Sequence, residues 1–223
     1  MKRRSALLVA ALLLSATAAR LQVGAADSET SLDALERRYR AVVSFTATFT
    51  QTYRAPGIET VESGVVAMKR PALMRWEYRR PESKLFVADG KKTYLYSPAD
   101  RQVMVARFSE RELRSTPLEF LLGGAGLVRG FRPTAERELQ PKLEGTSMLR
   151  LEPRSPQSEY DSIVLEFDSR TFEIRRLVVR EATGGSSDFL FSDTATNVRL
   201  DDRQFQFHMP KGVEVIELDE GRE

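Results

Sequence analysis

The sequence predicts a mainly β protein: one antiparallel sheet of about ten strands, strongly curved or closed on itself, with two helices. Three observations predict it. Apolar and polar residues alternate with period two in many short segments. Gly, Pro, Asn or Asp bounds each segment, where turns form and ladders stop. Helical patterns do not interleave with the strands, so there is no βαβ rhythm and no parallel sheet.

The chain of 223 residues opens with a segment of different character. Lys2, Arg3 and Arg4 precede the small and apolar run from Ala6 to Ala19, which Arg20 ends. That run suits the apolar core of an export signal and is too short for a spanning helix. Cleavage is expected after Gly24-Ala25-Ala26, the alternative being Ala16-Thr17-Ala18. Residues 1–26 are thus read as a cleavable signal peptide and 27–223 as a single domain. Without them the formal charge of +2 becomes −2, because four cations and no acid are removed. No basic patch then calls for nucleic acid, and no second run is long enough to span a bilayer. The expected compartment is the periplasm.

A helix is predicted over Ser31–Val43, with Thr30 or Ser31 as its cap and Leu32, Leu35, Tyr39, Val42 and Val43 near one face. Strands follow at 45–53, where threonines alternate with Phe45, Ala47, Phe49 and Tyr53, and at 58–69, with a bulge or bend expected at Gly64. Arg70-Pro71 ends the second, since proline cannot donate to a ladder. Along 73–78, Met74, Trp76 and Tyr78 share one face and Arg75 and Glu77 the other. Strands 84–88 and 91–96 form a hairpin, with Asp89-Gly90 expected in a type I′ turn. A strand at 102–108 completes a five- or six-stranded meander. Ser115–Gly124 has a cap, an early proline, an apolar face with Leu118 and Leu121, and a glycine stop, so a short helix is expected there. Further strands are read at 146–152, 163–167, 171–180, 187–191 and at 198–200 or 204–208.

The chemistry is bounded by what is missing. There is no cysteine and a single histidine, His208. Disulfides, thiolate metal sites, a Cys nucleophile and a multi-His metal centre are excluded. No phosphate loop, dinucleotide fingerprint or nucleophile elbow is present. His208 falls on the polar face with Gln204 and Gln206 and is read as solvated or structural. No enzyme is expected. What the strands offer is an apolar face, which by composition alone suits an ordinary core.

The segment Lys69-Arg70-Pro71-x-Leu73-Met74-x-Trp76, then Pro81, Val87-Ala88-Asp89-Gly90-Lys91 and Tyr94-x-Tyr96-x-Pro98, resembles the LolA-type outer-membrane lipoprotein carriers. Ser44-Phe45-Thr46-Ala47-x-Phe49-x-Gln51 and Phe207-x-x-Pro210-x-Gly212-Val213 agree with it. The resemblance runs over residues 31–217. It is specific from 44 to 98 and one of strand rhythm only from 125 to 200.

The resemblance implies an incomplete, half-open antiparallel β-barrel of about ten to eleven strands with a short helical lid over an apolar cavity. It implies a periplasmic carrier that shuttles acylated lipoproteins. Cargo comes from an inner-membrane ATP-driven extraction complex and passes to an outer-membrane lipoprotein receptor. No cofactor is implied, and a monomer is expected. The lipid cavity is expected at Phe45, Phe49, Val66, Met68, Met74, Trp76, Leu118 and Leu121. Arg70 matches the arginine that latches the lid to backbone carbonyls in that family; the plainer reading is a solvated charge at a strand end. Met74 stands where the family has an aromatic residue, which keeps the site apolar and makes it more pliable. Two other readings stay open: a lipid-sensing regulatory protein on a related half-barrel, and a carrier of another hydrophobic ligand.

Overall fold

The computed structural model describes residues 27–108, 121–122, 130–155 and 160–218. The expected signal peptide, Leu118 and all of the expected lid helix except Leu121 and Leu122 lie outside the described residues.

Helix α1 occupies residues 27–40. It buries Leu32, Leu35 and Tyr39, the apolar face the helical period sets out. It ends before the expected Val43. The Val42 amide bonds back to the Tyr39 carbonyl at 3.0 Å, and the Val43 amide donates instead to Asn197 Oδ1 at 2.8 Å. Val42 stays buried, but Val43 is turned outward.

Twelve strands follow: β1 (Ser44–Ala55), β2 (Ile58–Lys69), β3 (Leu73–Arg80), β4 (Lys84–Asp89), β5 (Lys92–Ser97), β6 (Gln102–Arg107), β7 (Phe131–Ala135), β8 (Thr146–Pro153), β9 (Tyr160–Asp168), β10 (Ile174–Glu181), β11 (Ser186–Thr196) and β12 (Glu214–Leu218). They make one open sheet in the order β12-β6-β5-β4-β3-β2-β1-β11-β10-β9-β8-β7. Every neighbouring pair is antiparallel except β12 with β6, which is parallel. The sheet is not closed between β12 and β7, so the half-open architecture stands. Register shifts in β1 near Ala47, in β2 at Ser63/Gly64 and at both ends of β10 add local twist and bend the sheet.

Three local expectations change. The β4–β5 turn is not type I′. Among its residues only Gly90 has positive φ, at 91°, and it sits first in the two-residue loop, whereas type I′ needs positive φ at both central residues. Asp89 belongs to the strand, and its Oδ1 accepts from the amides of Lys91 and Lys92, each at 2.8 Å. Residues 198–208 are not a strand. Asp201 caps a 3-10 turn over Asp202–Phe205 by accepting from the Arg203 amide. The alternation of Phe205 and Phe207 serves another purpose: this segment crosses the outer face of the sheet. Phe205 is wholly buried there, on the side of Val87, Val103 and Val105, and Phe207 stacks on Tyr94 with centroids 4.8 Å apart. Finally, β7 and β12 are strands that the pattern did not disclose.

The main core fills the inner face. It joins α1 residues to Phe45, Phe49, Met68, Trp76, Phe167, Leu177 and Phe191. Among the described residues no helix is long and apolar enough to cross a membrane.

Candidate functional site

Strand period and register together place the inner-face residues in rows across the sheet. The first row is Phe45, Met68, Met74 and Ala88. The second is Ala47, Val66, Trp76, Phe86 and Leu95. The third is Phe191, Phe49, Gly64, Tyr78 and Lys84. The rows form an apolar trough, and its two ends differ.

The end at the first row is sealed. Phe45, Met68 and Met74 are buried in one cluster with α1, Leu121 and Leu122. Leu121 and Leu122, the described part of the expected lid, lie in a short 3-10 segment. Arg70 joins these pieces. Its Nε donates to the Leu122 carbonyl at 2.7 Å, its Nη1 to the Arg40 carbonyl at 3.3 Å and its Nη2 to the Tyr39 carbonyl at 3.4 Å. The fork geometry of a guanidinium suits this, since the last carbonyls of a helix lack intrahelical partners. The Tyr39 hydroxyl accepts from the Ile174 amide at 2.9 Å. Burial pushes its phenol up to about 12.

The opposite end is open. A cavity of about 360 Å³ is lined by Trp76, Tyr78, Lys84, Phe86, Leu95 and Phe189. Gly64 is the ladder partner of Tyr78, one of these walls. The bare glycine lets the Phe49 and Tyr78 rings meet edge to face over β2, with centroids 5.1 Å apart. A Cβ on Gly64 would lie 1.8 Å from the Glu77 carbonyl oxygen. Trp76 packs between Phe49 and Phe189, at 4.8 and 5.7 Å. Its Nε1 is a buried donor with no hydrogen-bond partner among the described residues. The rim is polar. Lys84 is ion-paired with Glu62, and its Nζ lies 5.0 Å from the Tyr78 ring centroid. Tyr78 donates to Gln51 Oε1 at 3.2 Å. Burial first, and then the Glu62 charge, push the Tyr78 phenol up to about 12. Both phenols therefore stay neutral, and the trough carries no charge except at its rim.

Seven of the eight residues expected to line a lipid cavity fall in one place. Phe45, Phe49, Val66, Met68, Met74, Trp76 and Leu121 all belong to the inner-face cluster; Leu118 is outside the described residues. Of these seven, Trp76 alone also lines the open cavity, and the others form its packed continuation. Tyr78, Lys84, Phe86, Leu95 and Phe189 complete the cavity. The alternation that places Trp76 inward, carried across the hairpin register to Phe86 and Leu95, is the signal that finds most of them.

His208 lies elsewhere. It borders a polar groove of about 640 Å³ on the outer face, with Arg75, Glu77, Gln204 and Gln206 among its walls. Arg75 Nε bonds Glu77 at 2.7 Å, and its Nη1 bonds the Gln204 carbonyl at 3.2 Å. Among the described residues no group of three or more His, Cys, Asp or Glu is placed to hold a metal.

A second charged cluster is buried on the outer face of β9–β11. Arg176 donates to both Asp188 oxygens, at 2.8 and 3.0 Å, and to Glu166 at 3.1 Å. Glu166 also accepts from the Lys142 and Leu143 amides and the Thr146 hydroxyl, and Lys142 Nζ reaches Asp188 at 2.8 Å. Two carboxylates thus balance two cations.

The family model described as outer membrane lipoprotein carrier protein LolA matches residues 40–208. An outer-membrane lipoprotein carrier protein of Azotobacter vinelandii is 32% identical over 208 residues, covering 92% of this chain and 97% of that one. One from Nitrosomonas europaea is 32% identical over 176 residues, covering 78% and 82%. Among solved structures, an uncharacterized conserved protein from Thermus thermophilus aligns with a TM-score of 0.53 at 14% identity, over 86% of this chain and 99% of that one. MucB aligns with a TM-score of 0.50 at 17% identity, over 86% and 66%. At such identities these two structures bear on the fold alone. The sequence match over most of its length makes this chain a member of the LolA family of outer membrane lipoprotein carrier proteins.

Proposed function

We propose that this protein is a non-enzymatic periplasmic carrier of lipoproteins, exported by residues 1–26 and working as a monomer. It takes the acyl-modified end of a lipoprotein from an inner-membrane ATP-driven extractor and hands it to an outer-membrane receptor. The observation that carries the reading is the trough: three rows of apolar side chains, packed at one end and left as a cavity of about 360 Å³ at the other. An acyl chain in water forgoes about 0.8 kcal/mol per CH₂, so a carrier needs a dry site that can also be emptied.

In this reading the acyl chains enter by Trp76, Tyr78 and Phe86 and spread into the space now filled by the packed end. Phe45, Phe49, Val66, Met68, Met74, Leu118 and Leu121 then become the wall. Met68 and Met74 suit such repacking because the thioether side chain adapts to irregular space. Arg70 is the latch. Its hydrogen bonds to the carbonyls of Leu122, Tyr39 and Arg40 hold the empty state closed, and the free energy of closing is subtracted from cargo affinity.

The test replaces Arg70 with Leu and follows cargo retention and transfer to a receptor. The donors vanish and an apolar rim remains. If the latch contributes about 1.4 kcal/mol, retention tightens roughly tenfold and transfer fails. Lys is expected to substitute poorly, since a point charge cannot fork onto several carbonyls. Unchanged retention with normal transfer would reduce Arg70 to a helix-end contact.

A further inference from the structure

The β1–β2 hairpin outgrows its neighbour. β2 pairs with β1 along its whole length, from Ile58↔Ala55 to Lys69↔Ser44. β3 pairs with it only from Ser63↔Arg80 onward. Residues 58–62 therefore have a strand on one side and none on the other among the described residues. The cause is local, because β3 ends at Arg80 and Pro81 has no N–H to extend the ladder. The segment is nevertheless firmly backed. Behind it β1 also pairs with β11, from Thr52↔Asp188 to Arg54↔Ser186. Alternate residues of an antiparallel strand aim N–H and C=O to the same side, so two or three of these five offer both to the open edge. Ile58 and Val61 are 55% and 52% exposed.

This edge adjoins the mouth of the cavity. Glu62, its last residue, is ion-paired with Lys84, a cavity wall. Gln51, the ladder partner of Glu62, accepts from the hydroxyl of Tyr78, a second wall. The edge is also electrically quiet, since Glu59 pairs with Arg54 at 2.8 Å and Glu62 with Lys84.

We propose that residues 58–62 dock the extended polypeptide next to the acylated residue of a cargo, which adds to β2 as a strand while its acyl chains fill the cavity. The inference rests on the carrier reading above. The acyl group tethers its own peptide at the cavity mouth, so the second contact forms at high effective concentration. Main-chain bonding tolerates diverse side chains, as a carrier of many different proteins requires. An open, firmly backed strand edge is a ready template for such pairing.

The probe is a synthetic lipopeptide: a diacylated cysteine with brominated chains, followed by eight residues. Binding is read by quenching of Trp76, the only tryptophan in the chain. One arm lacks the peptide, and a series carries one N-methylated backbone amide at each position in turn. Removing the peptide is expected to weaken binding about tenfold, the worth of one to two net hydrogen bonds. Methylation should weaken it at alternate residues only. The protein has no cysteine, so Ile58→Cys, Glu59→Cys, Thr60→Cys and Val61→Cys, one at a time, should cross-link to a peptide cysteine that advances one for one with the protein position. Equal affinity in every arm overturns the docking edge and leaves acyl binding standing. Disulfide-linked dimers of Val61→Cys that persist with cargo present overturn it in favour of a second copy. No quenching by any arm removes the carrier reading, and this inference with it.

Discussion

Two cations ion-paired with carboxylates sit in different halves of the sheet, and their surroundings could hardly differ more. Arg176, on the outer face of β10, is 4% exposed and donates to two carboxylates that are themselves bonded to Lys142, Leu143 and Thr146. Lys84, at the start of β4, pairs with one carboxylate at the cavity rim and keeps a third of its side chain in solvent. The first network is saturated. The second borders the cavity and a buried indole donor that has no partner among the described residues. Saturated polar groups fix a structure, because any movement strands one of them; a site that must open and close keeps its polar groups few and replaceable. The half of the sheet with the buried charges is thus expected to be the rigid one, and the half with the apolar trough the adaptable one.

Arg176→Met tests this contrast most severely. It leaves Glu166 and Asp188 buried with only Lys142 for charge. A loss of about 3–5 kcal/mol is expected in urea unfolding; a loss near 1 kcal/mol would mean that the rigid half is not held by its charges. Gly64→Ala attacks the adaptable half beside Tyr78. The new Cβ must displace the Glu77 carbonyl or shift β2, at a cost of about 1–3 kcal/mol, and Trp76 fluorescence should change with it. An unperturbed melting curve would show that the bulge yields freely.

Acid separates the halves without mutation. Burial raises the Glu166 carboxyl, but the amides of Lys142 and Leu143, the Thr146 hydroxyl and Arg176 together hold it below the usual range. Asp188 is likewise raised by burial and held low overall by Arg176 and Lys142. Folded values below unfolded ones contribute stability above the ordinary carboxylate range, and that contribution is lost as pH falls through the folded values. The urea midpoint should hold from pH 7 to about 5 and drop below about 4. In Arg176→Met the drop should begin at higher pH; an unchanged profile would locate acid lability elsewhere. The smallest effect is expected from Lys84→Met. A partly exposed pair contributes under about 1 kcal/mol, so the unfolding midpoint should scarcely move. A large shift would make the rim as rigid as the Arg176 cluster.

Much of the trough was legible because strand period two and a known register suffice to assign faces. Phe45, Phe49, Met74 and Trp76 reveal their side from alternation alone, and Gly64 marks the bulge expected in β2. The open cavity was less legible. Phe189 reaches Trp76 from β11, and no local pattern links two strands so distant in sequence. Arg70 shows the same limit: its position at a strand end is plain, but its carbonyl partners belong to α1 and residue 122. At the C-terminus the alternation of Phe205 and Phe207 imitates a strand, while Asp201 turns the backbone into a 3-10 cap. Strand β12 eluded the pattern because its burial is slight; what holds it is main-chain pairing to β6 and the bond from Arg101 to the Gly212 carbonyl.

The order of the sheet also governs how the chain can reach it. From β1 to β6 each strand lies beside its successor, and so does each from β7 to β11. Two meanders can therefore assemble from short loops, each with little entropy to overcome. The seam between them is β1 against β11, where Phe45 meets Thr196. That pairing closes nearly the whole described chain into a loop and belongs to the slow class of contacts. Until it forms, the third row lacks Phe191 and the trough has only one bank. The cavity, which Phe189 of β11 lines together with Trp76 of β3, is complete only once this pairing exists, and molecules without it expose two unpaired strand edges at the centre of the future sheet. Collisions between such molecules are a route by which this protein would aggregate.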